Sequence, residues 1–149
     1  MRVARRAVIL ALVVIAPILI ISGSLAPVLF AQQIDPAKAA EAAKMKNPVR
    51  ADASSTAAGK KLFDAQCASC HGTAGKGDGK GGAALNPKPS DLTDAEWKHG
   101  SSDGIVFVVV RDGVPKTGMR GYASRMTTND IWHIVNYVRT LGPKPSPSH

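Results

Sequence analysis

The sequence predicts an all-α domain of three main helices, preceded by a separate hydrophobic helix. Three observations carry that expectation. Ile131, Ile134, Val135, Val138 and Leu141 recur at i, i+3, i+4 spacing, the stripe of an amphipathic helix. Over Ser55–Ala68, Leu62, Phe63, Gln66 and Cys67 fall on one helical face, with Lys60, Lys61 and Asp64 outside it. The one β-branched run, Ile105–Val110, has no second strand to pair with.

Taken in chain order, residues 1–31 read as an export signal or an uncleaved membrane anchor. Arg2, Arg5 and Arg6 open the segment, and no further charge appears until Asp35. The apolar run Ala7–Ile21 is followed by Ser22-Gly23-Ser24 and the apolar Leu25–Phe30. Ser24-Leu25-Ala26 has the small–x–small form of a cleavage site, but Pro27 follows it. The uncharged stretch is longer than the roughly 20 residues that a spanning helix needs. With the arginines held inside, the rest of the chain lies across the membrane, so either reading places the domain outside the cytoplasm.

Residues 32–53 are expected to be a tether. Asp35-Pro36 offers a cap and a first-turn proline to an Ala, Glu and Lys-rich helix over Ala37–Lys46, stopped by Asn47-Pro48 and read as a solvated linker. The folded domain is expected over 54–142, with its first helix near Ser55–Ala68 and its last near Asn129–Leu141. Between them, propensity alone makes Ile105–Val110 a strand. However, Ser101-Ser102-Asp103 resembles a helix start and Gly113-Val114-Pro115 a helix stop, so a helix is expected there. Residues 143–149, rich in Pro and Ser, read as a disordered tail. Fewer than 90 residues then fold, few enough that a staple, metal or cofactor is expected.

Composition narrows the function. Charged residues make up 20% and hydrophobic ones 44% of the 149-residue chain, which fits neither a disordered nor a polytopic membrane protein. Two cysteines exclude a disulfide scaffold and a four-thiolate metal site. The net charge of +8 includes the three N-terminal arginines. Beyond them, 16 Lys and Arg face 11 Asp and Glu, a net of +5, too weak a bias to argue for nucleic acid.

Those two cysteines stand in Cys67-Ala68-Ser69-Cys70-His71, the C-x-x-C-H pattern of covalent haem attachment. Two intervening residues set the thiols one helical turn apart, in reach of the two vinyl groups on one edge of the macrocycle, and the next residue brings an imidazole to its iron. A thioredoxin-type dithiol would need a βαβ setting, which is missing here. A structural disulfide leaves His71 without a role. Zinc would need two more ligands, and His99, His133 and His149 form no second paired cluster.

Candidates for a second iron ligand are Met119, Met126, Met45, His99 and His133. Met119 leads, because it lies in the Gly, Pro and Thr-rich loop Gly113–Tyr122 and not on an apolar helical stripe. Met126 reads as a hydrophobic staple at the entry of the last helix, and Met45 sits in the tether. His133 falls on the polar side of the last helix with Asn136 and Thr140, a surface position. His99 is the rival, in a stretch that must wrap the haem.

Over about Asn47–Leu141 the chain resembles a single-haem class I cytochrome c of the bacterial, exported or membrane-anchored kind. Beyond C-x-x-C-H, Gly59 and Phe63 match the glycine and aromatic with which the family's first helix crosses its last, and Ile134 and Tyr137 match their partners. His71-Gly72, Gly77-Asp78-Gly79 and Pro87–Thr93 are similar to bacterial members, as are Gly113-Val114-Pro115 and Thr117-Gly118-Met119. The resemblance implies a cytochrome c-like bundle wrapped around one haem c bound through Cys67 and Cys70, with His71 and Met119 as iron ligands. It also implies a proline carbonyl, from Pro87 or Pro89, accepting a hydrogen bond from His71.

A six-coordinate His/Met iron has no position for substrate, so the expected role is electron transfer between exported redox partners on the periplasmic side of the bacterial inner membrane, and not catalysis. Lys116, Arg120 and Arg125 flank Met119 and could steer an acidic docking surface. Arg120 stands where many relatives carry proline, which leaves an alternative: a looser loop, a dissociable Met119, and a peroxidase or gas-binding sensor. A third reading makes the chain an electron-transfer subunit of a larger dehydrogenase or oxidase.

Overall fold

The computed structural model of the chain describes residues 34–142, so the signal or anchor expected at 1–31 and the tail at 143–149 lie outside the described residues. Five helices follow in order: α1 Pro36–Ala43, α2 Ala53–Gln66, α3 Ala68–His71, α4 Asp103–Asp112 and α5 Thr128–Leu141, with a 3-10 turn at Lys80–Gly82. Among the described residues there is no strand, only an isolated bridge between Gly113 and Arg120. No helix among them is long and apolar enough to cross a membrane.

Caps set where the helices start. The Asp52 carboxylate accepts from the Ser55 amide at 2.8 Å, so α2 begins two residues before the expected Ser55. It breaks at Cys67 and resumes as the single turn α3. Thr127 and Asp130 cap α5 reciprocally, each side chain taking the other's backbone amide. Ser102 caps α4 through the Ile105 amide at 3.2 Å. Ile105, Val106, Phe107, Val108 and Val110 are all buried on that helix, so tertiary packing overrides their strand propensity.

The frame of the domain is the crossing of α2 and α5. A Cβ on Gly59 would collide with the His133 carbonyl oxygen, so only glycine lets the two backbones come this close. Phe63 then meets Tyr137 with ring centroids 5.2 Å apart and planes at 59°, a tilted aromatic pair. Phe63, Ile131, Ile134 and Val135 are fully enclosed. Phe107 of α4 stacks on Trp132 of α5 at 4.1 Å, and Arg139 of α5 bonds Asp103 of α4 at 2.7 Å.

Two expectations are corrected here. The segment read as a solvated tether is docked over its described part. Ile34 and Ala42 are buried in the core, α1 runs antiparallel along α4, and Lys38 pairs with Asp112 at one end while Ala42 abuts Gly104 at the other. The close approach at Gly104 does this without large side chains: a Cβ there would strike the Ala42 carbonyl.

The polar side of α5 is not a surface at positions 133 and 136 either, although Thr140 on the same side is exposed. Asn136 is buried and donates to Ser55 Oγ (2.7 Å) and to the Val49 and Arg50 carbonyls (3.2 and 3.3 Å), while its own oxygen accepts from Asn47 at 2.7 Å. His133, half-buried, shares a 2.8 Å hydrogen bond with the same Ser55 hydroxyl. These polar groups go inside because each finds a partner there.

Candidate functional site: a crevice over the C-x-x-C-H turn

Residues 67–72 form one tight turn. The amides of Cys70 and His71 both point to the Cys67 carbonyl, at 3.1 and 2.9 Å, and Gly72 bonds Ala68 at 2.8 Å. The loop that follows folds back to satisfy two more carbonyls of the turn, with Gly77 bonding His71 at 2.8 Å and Gly79 bonding Cys70 at 3.1 Å. Both cysteines and His71 thereby line one crevice of about 690 Å3. Its lining is mostly apolar, with Phe63 of α2, Val106, Val109 and Val110 of α4, Ile134 and Val138 of α5, and Leu85 from the intervening loop.

Met119 lines the same crevice from the Gly113–Tyr122 loop. That loop is tied to itself and to the frame. Val114 N–H donates to the Met119 carbonyl at 2.9 Å, and the Thr117 hydroxyl donates to the Val114 carbonyl at 2.8 Å while accepting from Met119 N–H at 3.1 Å. At its far end the Tyr122 hydroxyl donates to the Gln66 carbonyl at 2.8 Å, fastening the loop to the last turn of α2. Of the five residues weighed as a second ligand, Met119 and His99 line the crevice. Met126 packs half-buried against the core, Met45 lies beside Gly104, and His133 is engaged with Ser55.

His71 Nδ1 donates to the Ser90 carbonyl at 3.1 Å, not to Pro87 or Pro89 as expected. The reason lies one residue back. The Pro89 carbonyl is turned toward Gly77, where an added Cβ would sit 2.5 Å from it, so the next carbonyl along faces the imidazole. With Nδ1 committed as a donor, Nε2 keeps its lone pair for a metal. Burial lowers the His71 pKa, opposed by the Ser90 bond, which favours the neutral ligand form. Burial, with Cys70 adding to it, pushes the Cys67 thiol up to about 12, and both thiols are free. A thiol held protonated is a poor exchange nucleophile, which argues against dithiol redox chemistry. The Ser90 carbonyl is a backbone atom and leaves no mark in the sequence.

The arrangement fits a haem. A mostly apolar slot has two free thiols and an imidazole nitrogen on one wall and a thioether on its lining. It also holds a buried, unpartnered ring nitrogen, His99 Nδ1, among its polar residues. Comparison with known proteins decides the family: the cytochrome c family model matches residues 56–142.

The chain belongs to the cytochrome c family.

Its cofactor is a covalently bound haem c with iron. The chain is 32% identical over 87 residues to the cbb3-type cytochrome c oxidase subunit FixP of Bradyrhizobium diazoefficiens, covering 58% of this chain and 27% of that one. It is 36% identical over 94 residues to the subunit CcoP of Cereibacter sphaeroides, covering 61% and 29%. It thus spans a little over a quarter of the length of these relatives. Among solved structures it is similar to a chain of the reducing HAO-like protein complex of Kuenenia stuttgartiensis, with a TM-score of 0.60 at 28% identity, covering 66% of this chain and 49% of that one. It is also similar to cytochrome cL of Methylophaga aminisulfidivorans, with a TM-score of 0.51 at 25% identity, covering 64% and 58%.

Proposed function

We propose that this cytochrome c carries single electrons between exported redox partners on the periplasmic side of the inner membrane, through an iron held by both His71 and Met119. The bound haem supplies a one-electron iron couple. Cys67 and Cys70 anchor it through thioethers, so it stays with the chain outside the cytoplasm. His71, oriented by Ser90, offers Nε2, and Met119 offers its sulfur from the hydrogen-bonded loop. The observation that carries this reading is that His71 and Met119 line one crevice, each with its backbone or ring otherwise committed. Two ligands retained in both oxidation states leave no open coordination position and little geometry to rearrange, which suits electron carriage and not substrate chemistry. The ties from Val114, Thr117 and Tyr122 favour a retained Met119 over the dissociable ligand of a peroxidase or gas sensor, despite Arg120.

The test is spectroscopy of the purified holoprotein beside Met119→Ala. The wild type is expected to show a Soret band and, when oxidised, the long-wavelength charge-transfer band of sulfur–iron ligation. The variant should keep the first, lose the second and bind added imidazole. A wild type without that band defeats the six-coordinate reading. Exposed Lys88, Lys98, Arg120 and Arg125 at the crevice support docking onto acidic partners. Lys116, on the same loop, adds to that charge without lining the crevice.

The likeness to FixP and CcoP supports a second reading of the same site: the chain delivers electrons as a subunit of a larger oxidase. Co-purification of a haem-stained band with an oxidase from solubilised membranes tests it, and migration of the cytochrome alone counts against it. Membrane attachment through residues 1–31 belongs to this proposal too, and N-terminal sequencing of the mature chain checks it.

A further inference from the structure

The uncharged, apolar run of the N-terminal sequence ends at Phe30, and Ile34 is already buried in the core of the domain. Next to it the Asp35 carboxylate caps α1, accepting from the Ala37 and Lys38 amides at 2.8 and 3.1 Å. Lys38 pairs with Asp112 at 2.5 Å, and the α1 backbone at Ala42 closes on Gly104. Beyond α1 the chain is held again, by the bonds that join Asn136 to Asn47, Val49 and Arg50. The stretch from Ile34 to α2 is therefore a docked strap and not a spacer.

Its entry point is defined as well. Because α1 runs antiparallel to α4, the start of α1 lies beside the end of α4 that carries Asp112. The Gly113–Tyr122 loop leaves from that end and returns to it: the Tyr122 amide bonds the Val110 and Arg111 carbonyls at 3.1 and 3.0 Å, and Gly113 bridges Arg120. Only residues 31–33 separate Phe30 from Ile34. Four residue steps span at most about 14 Å, at about 3.6 Å each. A free spacer over 32–53, as the sequence led us to expect, could extend to about 80 Å on the same count.

We propose that α1 is a strap that holds the haem domain directly on the bilayer with the Gly113–Tyr122 end nearest to it, and that the partner is a redox protein embedded in the same membrane, with an acidic surface close to that bilayer. The inference rests on the membrane attachment of residues 1–31 proposed above. A domain on so short a leash cannot carry its haem to a second membrane. Exposed Lys116 and Arg120 lie on this loop, and Arg120 also lines the crevice, so the complementary charge must sit low on the partner. A freely diffusing partner gains nothing from a fixed height. One confined to the same bilayer gains alignment before contact, which lowers the cost of docking. One electron passes between the haem iron and the partner's redox centre, Fe(II) becoming Fe(III) as that centre is reduced, or the reverse, with no bond made or broken.

The experiment uses the full-length holoprotein in lipid vesicles, beside a variant with an insert of about twenty Gly and Ser residues between Gln33 and Ile34, a coil of about 25 Å mean span. Spin labels placed through Lys116→Cys and Lys44→Cys report proximity to nickel-chelating lipid headgroups. Without the insert, relaxation should be several-fold stronger at the first label than at the second, because Lys44 follows the far end of α1; the insert should abolish the difference. Vesicles carrying pre-reduced or pre-oxidised cytochrome are then mixed with membranes of the source cells. Haem absorbance should hold until the two bilayers are fused and change afterwards, whereas the inserted variant should exchange electrons without fusion. Equal relaxation at both labels, exchange before fusion as fast as after it, equally fast exchange with the soluble periplasmic fraction, or no exchange after fusion overturns the proposal. Should the inserted variant lose its haem, the labels on the uninserted chain and the fusion test decide alone. N-terminal sequencing reports the attachment separately. Cleavage before Ile34 defeats the anchor and the strap together, whereas an anchored chain that fails the label or fusion test defeats the strap alone.

Discussion

Asn136→Leu replaces a buried amide by an apolar group of similar size, and its cost follows from counting hydrogens. The Asn136 amide has two N–H groups for three acceptors, Ser55 Oγ and the Val49 and Arg50 carbonyls, so it makes two full bonds there. Its oxygen accepts a third, from Asn47 at 2.7 Å. Three bonds at a net ~0.5–1.5 kcal/mol each give about 3 kcal/mol, and apolar burial of leucine offsets about 1 kcal/mol of that. The expected loss is therefore about 2 kcal/mol. Urea unfolding of the holoprotein, followed by far-ultraviolet circular dichroism, should show a midpoint lower by roughly 1–2 M, the slope m for a small domain being about 1–2 kcal/mol/M. Because Asn47, Val49 and Arg50 lose their hold on α5, limited proteolysis should also cut sooner between α1 and α2. A midpoint within about 0.3 M of wild type, with proteolysis unchanged, would show that the network contributes no net stability and refute the reasoning.

Gly59→Ala sets helix propensity against packing. Propensity alone gains about 1 kcal/mol, but the added methyl meets the backbone oxygen of His133, which cannot swing away as a side chain could. The crossing must open, at a net cost of about 1–3 kcal/mol read as a lowered thermal midpoint; a raised one contradicts the structure. Asp112 is held down to about 2 by Arg111 and then Lys38, against an opposing effect of burial. A carboxyl with a depressed folded pKa stabilises above its unfolded value near 4, and that contribution fades as pH falls from about 4 toward 2. Asp112→Asn should therefore unfold more easily than wild type at about pH 7, and the difference should close by about pH 2. A deficit that is the same at every pH excludes the charge as its cause.

Much of this was legible in the sequence because it is local. The C-x-x-C-H run folds as one turn, so its three side chains share a wall whatever else the chain does. The α5 stripe and the signals flanking Ile105–Val110 named their helices before any partner was known. Other features needed distant atoms. Ser90 was chosen by which way the Pro89 carbonyl turned, a matter decided against Gly77. The burial of Asn136 depends on residues 47–55, more than 80 positions away. Periodicity alone assigns its helical face to water. The docking of α1 was hidden for the opposite reason. Alanine and lysine predict a free helix, and the residue that receives it, Gly104, is conspicuous only for having no side chain.

The match to the family model begins at residue 56, but the physical unit begins earlier. Gly104, Val108 and Asp112 stand four residues apart along one face of α4, and α1 meets that face at both of its ends. Cutting the gene at residue 56 would strip this cover and leave the back of α4 bare. A fragment starting there is expected to be sticky even with its haem in place. A chimera that transplants this cytochrome into another protein should carry Ile34 onward as part of the graft. The family match and cooperativity draw different borders here, and expression vectors should follow the second.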